Sequence, residues 1–198
     1  LPQIAVAADQ FQVLNSAKDF KSRILSLIAG ATQRIYLIAL YLQDDEAGRE
    51  ILSALYAAKQ RNPALDIKVF VDFHRAQRGL IGKGKQGGNH LMYQAMAARH
   101  EHQIEIYGVP VKGRELLGVL HLKGFIFDDI LLYSGASLND IYLHQQERYR
   151  FDRYHQIHSQ ALTCSMVNYV DDVFLKSEAV QRLDRPGIPG AKQLKGQI

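Results

Sequence analysis

An α/β fold, with helices on both faces of a mixed, largely parallel central sheet, is predicted by three features of this 198-residue sequence. Short apolar runs alternate with amphipathic stretches: a run at 34–42, a helical pattern at 46–60 and a second run at 65–73 follow one another with brief connections. Strand, helix and strand joined this way form a crossover unit, which argues for parallel pairing. The first run is nearly unbroken in aliphatic residues, so both of its faces are covered. Finally, 47% hydrophobic and 22% charged residues are ordinary for a globular chain, which excludes disorder and fibre.

Taken in order, Asn15 or Ser16 can cap a helix reaching about residue 29, with Phe20, Ile24, Leu27 and Ile28 on one stripe and Gly30 ending it. The helix at 46–60 carries Ile51, Leu52, Leu55 and Tyr56, and Asn62-Pro63 stops it. After the second strand, residues 74–89 are the least regular part, with Arg75, Arg78, Lys83 and Lys85 set among Gly79, Gly82, Gly84, Gly87 and Gly88. Glycines let a backbone approach a ligand and the cations can meet phosphate. For Lys83 and Lys85 a solvated loop is an equally good reading. Arg75 and Arg78 follow the carboxyl end of a strand, where α/β sheets bind ligands, and this favours function for them.

A helix at 90–99, a short strand at 103–107 and a loop through Pro110 and Gly113 lead to an apolar strand pair at 119–139. Beyond it, 141–150 is polar and aromatic, a short helix or lid, and 150–159 reads as a strand. Residues 162–175 are amphipathic, with Met166, Tyr169, Val170 and Phe174 in one stripe. The tail from Arg185, rich in Pro and Gly, reads as a linker. The expected organisation is one lobe at 1–184 and a linker at 185–198 leading to further chain; the opening residue, Leu1 in place of Met, separately suggests a processed piece.

Composition narrows the functional classes. The single Cys164 forms no internal disulfide, and the eight histidines show no zinc spacing. The longest apolar run, 35–42, is too short to cross a bilayer, and no signal peptide is read ahead of it. A net charge of +4 allows contact with anionic lipid or nucleotide without singling out nucleic acid.

The chemistry concentrates in 119–139, read as a strand, a turn at Asp128-Asp129 and a second strand. Side chains alternate along a strand, so Val119, His121, Lys123, Phe125 and Phe127 share a face, with His121 and Lys123 about 7 Å apart. A buried strand does not carry such a cation without an anionic partner, and phosphate suits both groups. A lone histidine on an apolar strand is more often a satisfied core residue. Lys123 beside it and Ser137-Leu138-Asn139 downstream reverse that judgment. Imidazole titrates near neutrality and can attack phosphorus, forming a phosphohistidine. Asp128 has the opposite parity and sits at the strand end, which assigns it to a turn or an ion pair.

The spacing His121-x-Lys123-x4-Asp128, followed by Gly135, Ser137 and Asn139, resembles the motif of the phospholipase D superfamily. The segment Gly135-Ala136-Ser137-Leu138-Asn139 is one residue longer than is usual there. Within that superfamily, the wording at 121–125, 133–140, 142–145 and 150–155, and at 71–79 upstream, is similar to the bacterial phosphatidylserine synthases. The resemblance covers about 20–157.

It implies transfer of a phosphatidyl group from CDP-diacylglycerol to L-serine, releasing CMP through a phosphohistidine, with no cofactor and no metal. It also implies a catalytic set of His121, Lys123, Asn139 and the motif acid Asp128. Asp152, with Glu147 in reserve, would hold the second imidazole nitrogen, although a surface ion pair with Arg150 or Arg153 is a comparable reading of Asp152. Ser137, His74, Arg75 and Arg78 are implied as substrate-binding. Superfamily sites pair two motifs, one histidine acting as nucleophile and the other as acid and base. This chain has one, so the resemblance implies an amino-terminal lobe completed by a second lobe of the same native chain, or by homodimerisation. The implied setting is cytoplasmic, at the anionic surface of the inner membrane, with no specific nucleic-acid partner. Rival readings are another phospholipase D-type enzyme, such as a cardiolipin synthase or nuclease, and a non-catalytic lobe that binds anionic lipid.

Overall fold

The structure, a computed structural model, describes residues 3–77, 87–111, 119–190 and 194. Arg78, Lys83 and Lys85 lie outside the described residues. The first helix, α1 (Ala17–Gly30), starts where Ser16 accepts a hydrogen bond from the Asp19 backbone, and it buries Phe20, Ile24, Leu27 and Ile28. Capping by Ser16 satisfies one of the four N–H groups that a helix start leaves without a partner. Helix α2 (Glu46–Arg61) is capped in the same way by Asp45, which accepts from the Gly48 backbone.

Among the described residues eight strands make one sheet: β1 (Phe11–Leu14), β2 (Arg34–Ile38), β3 (Asp66–Asp72), β4 (Glu105–Val109), β5 (Gly124–Phe127), β6 (Ile130–Tyr133), β7 (Tyr154–His158) and β8 (Gln181–Arg182). Their order is β1-β7-β6-β5-β2-β3-β4-β8. The helices are completed by α3 (Phe73–Ala76), α4 (His90–Ala97) and α5 (Gln160–Val170), with a π-helical turn at Asp171–Leu175. One core layer packs α1 and α2 on Ile35, Leu37, Val69, Phe125 and Phe127. The other packs α5 on Tyr36, Ile38, Phe70 and Ile126. Helices therefore cover both faces, as expected.

The sheet is less parallel than the crossover argument predicts. Pairing is parallel between β2 and β3 and between β3 and β4, and antiparallel elsewhere among the described strands. Parallel neighbours need a long return connection, which α2 supplies between β2 and β3. The hairpin at Asp128-Asp129 turns the chain straight back instead. Strands β1 and β8 lie outside the sequence expectation, being too short for a periodicity signal. The stripe on the last helix is Thr163, Val167, Val170 and Phe174; Tyr169 is 50% exposed. It lies one position off the expected face, so the sheet takes Val167 in place of Tyr169. The tail returns to the domain: Gln94 donates to the Arg185 carbonyl at 2.8 Å, and Ile188 packs on the core.

Strand directions fix where a site can form. The carboxyl ends of β2, β3, β4 and β6 and the amino ends of β5 and β7 lie at one end of the sheet. The Asp128-Asp129 turn lies at the other.

Candidate active site

His121 and Lys123 precede β5 and are not part of it, since the ladder begins at Gly124 opposite Ile38. The reason is the neighbour. Strand β2 ends at Ile38, and beyond it the chain stays with β3, the Ala39 N–H donating to the Phe70 carbonyl and the Asp72 N–H to the Leu40 carbonyl, so residues 119–123 run ahead of β5 outside any strand. That leaves the imidazole of His121 exposed at the open end of the sheet and Lys123 partly buried beside it. The segment is anchored one residue upstream, where the Leu120 backbone donates to the Asp72 carboxylate at 3.0 Å. Asp72 is wholly buried, and its other oxygen accepts from the Arg75 backbone at 2.8 Å. One carboxylate thus ties the residue before His121 to the short helix that carries His74 and Arg75.

A second anchor holds Asn139. Leu42 and Leu138 form a parallel bridge, with the Leu138 N–H donating to the Tyr41 carbonyl and the Gln43 N–H to the Leu138 carbonyl. The loop at 41–44 is itself fixed: the Tyr93 hydroxyl donates to the Leu42 carbonyl, and buried Asn89 accepts from the Gln43 side chain at 2.8 Å. The Asn139 amide oxygen accepts from the Tyr142 backbone at 3.0 Å, and its amide nitrogen donates to the Tyr41 hydroxyl at 3.4 Å. Ser137 is buried in the same segment.

Asp152 lies just before β7 at the same end. It accepts from the Gly135 backbone at 3.4 Å and from the Arg153 backbone at 2.7 Å. A side chain at Gly135 would sit 2.7 Å from the Asp152 carboxylate, so glycine permits that approach. Burial holds the Lys123 ammonium below the usual lysine range, and the Asp152 charge draws it back up. Asp152 therefore acts on Lys123 and on the Gly135 turn, and makes no ion pair with Arg150 or Arg153. Among the described residues His121 has no hydrogen-bonded carboxylate, and Glu147 is exposed.

Asp128 stands at the far end of the sheet. Seven residues of extended chain separate it from His121, about 23 Å. It adopts φ 51° and accepts from the Thr32, Gln33 and Arg34 backbones and the Thr32 hydroxyl at 2.8–3.1 Å. Its geometry is that of a turn clamp at the start of β2, and it cannot reach a phosphate held by His121.

The end of the sheet thus assembles His121, Lys123, Asn139, Asp152 and Arg75 from four separate connections. Two contributors escaped the sequence reading. Asp72 was legible as an acid closing an otherwise buried strand, a residue that must have partners. Tyr41 carried no signal beyond membership of an apolar run. No group of three or more potential metal-ligating His, Cys, Asp or Glu side chains occurs among the described residues.

No protein-family model matches the chain. Nuc of Salmonella typhimurium, a phospholipase D family member, superposes with a TM-score of 0.59 at 17% identity, over 87% of this chain and 96% of that one. The architecture is thus the phospholipase D fold, with the His-x-Lys segment at the open end of its sheet. More particularly, the chain is similar throughout to bacterial phosphatidylserine synthase. The CDP-diacylglycerol–serine O-phosphatidyltransferase of Haemophilus influenzae is 48% identical over 203 aligned residues, which cover 100% of this chain and 44% of that protein. A crystal structure of phosphatidylserine synthase from the same organism superposes with a TM-score of 0.91 at 46% identity, over 96% of this chain and 43% of that one. The chain spans less than half the length of the relatives it matches so well.

Proposed function

We propose that this chain is one catalytic lobe of an enzyme that transfers a phosphatidyl group from CDP-diacylglycerol to L-serine. The observation that carries the reading is the 48% identity, along the whole chain, to a protein named for that reaction. The site geometry supports it. The exposed His121 nitrogen attacks the phosphorus next to the glycerol oxygen; an N–P bond forms and the P–O bond to CMP breaks. Lys123 and Asn139 donate to the phosphoryl oxygens, where charge gathers in the transition state. Serine then attacks the phosphohistidine, its hydroxyl proton leaves to a base, and the P–N bond breaks to restore His121.

A second lobe carrying its own His-x-Lys completes the site, in keeping with the length of the relatives. Asp152 keeps Lys123 charged, while His74, Arg75 and Ser137 border the substrate. The lobe works at an anionic membrane surface on its cytoplasmic side. No described helix is long and apolar enough to cross a membrane. Next to Asp152, however, Phe151 is 71% and Tyr149 45% exposed, and they alternate with Arg148, Arg150 and Arg153. Aromatic rings among cations suit an interface of apolar chains and anionic headgroups. The test is turnover by the full-length protein of CDP-diacylglycerol with serine, glycerol 3-phosphate, phosphatidylglycerol or water as acceptor. Serine-dependent CMP release at the highest kcat/KM is expected; preference for another acceptor would reassign the reaction.

A further inference from the structure

Asn139 is held in one orientation. The Tyr142 N–H can only donate, so the amide oxygen must face it, and the amide N–H must face the Tyr41 oxygen. Tyr41 accordingly spends an acceptor site on Asn139, and its own O–H has no acceptor among the described residues. A partly buried hydroxyl that accepts without donating is half satisfied, with its proton free for a further acceptor.

The surroundings select an anion as the missing acceptor. Burial pushes the Tyr41 phenol up, nearby Tyr142 and the Asp45 carboxylate add to this, and the Arg150 and Arg75 charges, each a larger influence than Asp45, oppose it. Both guanidinium groups are thus within electrostatic reach of the hydroxyl. Arg150 lies over the Tyr142 ring at 5.6 Å and donates to its hydroxyl at 3.3 Å. Neither Arg75 nor Arg150 has a carboxylate partner among the described residues. Two unneutralised cations and an unused O–H beside the Asn139 amide make a donor set waiting for oxygen.

Resting on the reading of the site as phosphoryl-transferring, we infer that Tyr41 is a further catalytic residue, whose hydroxyl donates directly to an oxygen of the reacting phosphoryl group beside Asn139. The hydrogen bond from Asn139 polarises that O–H, since donors in a chain strengthen one another. Arg75 and Arg150 hold the site positive for an incoming anion, while burial keeps the phenol protonated.

Orthovanadate, which takes the five-coordinate geometry of phosphoryl transfer, tests this without relying on lipid or serine. Its binding to the full-length protein is measured by calorimetry for wild type, Tyr41→Phe, Asn139→Ala and the double variant. Tyr41→Phe removes one oxygen and leaves the ring in place. The expected result is about tenfold weaker binding in both backgrounds, with kcat lower by about 10²-fold, the usual loss for a phosphoryl-oxygen donor. Binding within twofold of wild type would overturn the inference. A loss that vanishes in the Asn139→Ala background would overturn it too, since Tyr41 would then only orient Asn139. Failure of the protein to use CDP-diacylglycerol with serine would reject the proposed substrates, while the vanadate result would still decide the role of Tyr41.

Discussion

A lysine whose charge is penalised by burial releases its proton at lower pH than one in water, and Lys123 is such a lysine. Its positive charge is present below that depressed value and lost as pH rises through it. The kcat/KM of the full-length enzyme should therefore fall on an alkaline limb below the usual lysine range, and Lys123→Arg should move that limb upward while lowering the plateau. An unchanged limb in the arginine variant would assign it to another group. His121→Ala should remove turnover altogether, as expected for the nucleophile of a covalent mechanism. Asp128 makes the contrasting prediction. Its carboxyl is the target of three backbone N–H groups and a hydroxyl, and burial, although the largest single influence and an upward one, is outweighed by these donors, so its pKa is lowered. That contribution to stability is full above the unfolded carboxylate range and is lost as pH falls through the depressed folded value. Asp128→Ala should cost about 2–3 kcal/mol of stability in urea titrations, on the scale of hydrogen bonds to a charged group. Its kcat should be nearly unchanged, because the residue lies at the opposite end of the sheet from His121.

At the scale of elements, the amino end of α2 carries an unusual pair. Asp45 accepts from the Gly48 backbone and the Asp140 backbone, both at 3.0 Å, while Asp140 accepts from the Ala47 backbone at 2.7 Å. Burial pushes Asp45 up to about 6, the neighbouring Asp140 charge adds to this, and the two backbone donors oppose it. An acid with a raised folded pKa holds its proton more tightly in the native state. Stability from this pair is therefore greatest below the unfolded value of about 4, and declines as pH rises towards about 6. The stability advantage of wild type over Asp45→Asn should shrink between pH 4.5 and 7; a difference that stays constant would exclude the pair as its source. Neither partner was legible as a pair in the sequence, since 95 residues separate them. What was legible were local patterns: the α1 stripe ending at Gly30, the α2 start, and the apolar runs of β2 and β3. Where β2 stops was not legible, because Ala39 to Leu42 are as apolar as the strand and only the partner chain decides which of them pair. The same limit hid the role of Asp72 and Tyr41, whose functional partners, Leu120 and Asn139, lie far along the chain. His121 and Lys123 could be read because two chemically distinctive residues sit two apart in one apolar segment.

For the whole molecule, the proposed covalent route has a signature independent of the acceptor. Because the first half-reaction is reversible, labelled CMP should exchange into CDP-diacylglycerol without serine; exchange that strictly requires serine would favour direct in-line transfer. The second half-reaction needs more than this lobe. Serine must lose its hydroxyl proton as it attacks, and it approaches the phosphorus from the side opposite the departing His121 nitrogen. One imidazole cannot leave on one side and take a proton on the other. The described end of the sheet offers only one histidine from a His-x-Lys segment, and Asp152, its nearby acid, is turned towards Lys123 and Gly135. A general base is typically worth about 10²–10⁴ in rate. The 198-residue chain assayed alone should therefore release CMP from CDP-diacylglycerol with serine at a negligible rate, and the full-length protein should restore it. Mixing His121→Ala full-length protein with this chain should not restore it if the two lobes are joined from the start. Activity of the lone chain that rises with the square of its concentration would show instead that two copies pair to form the site, and would replace the proposed second lobe by a second copy of this one.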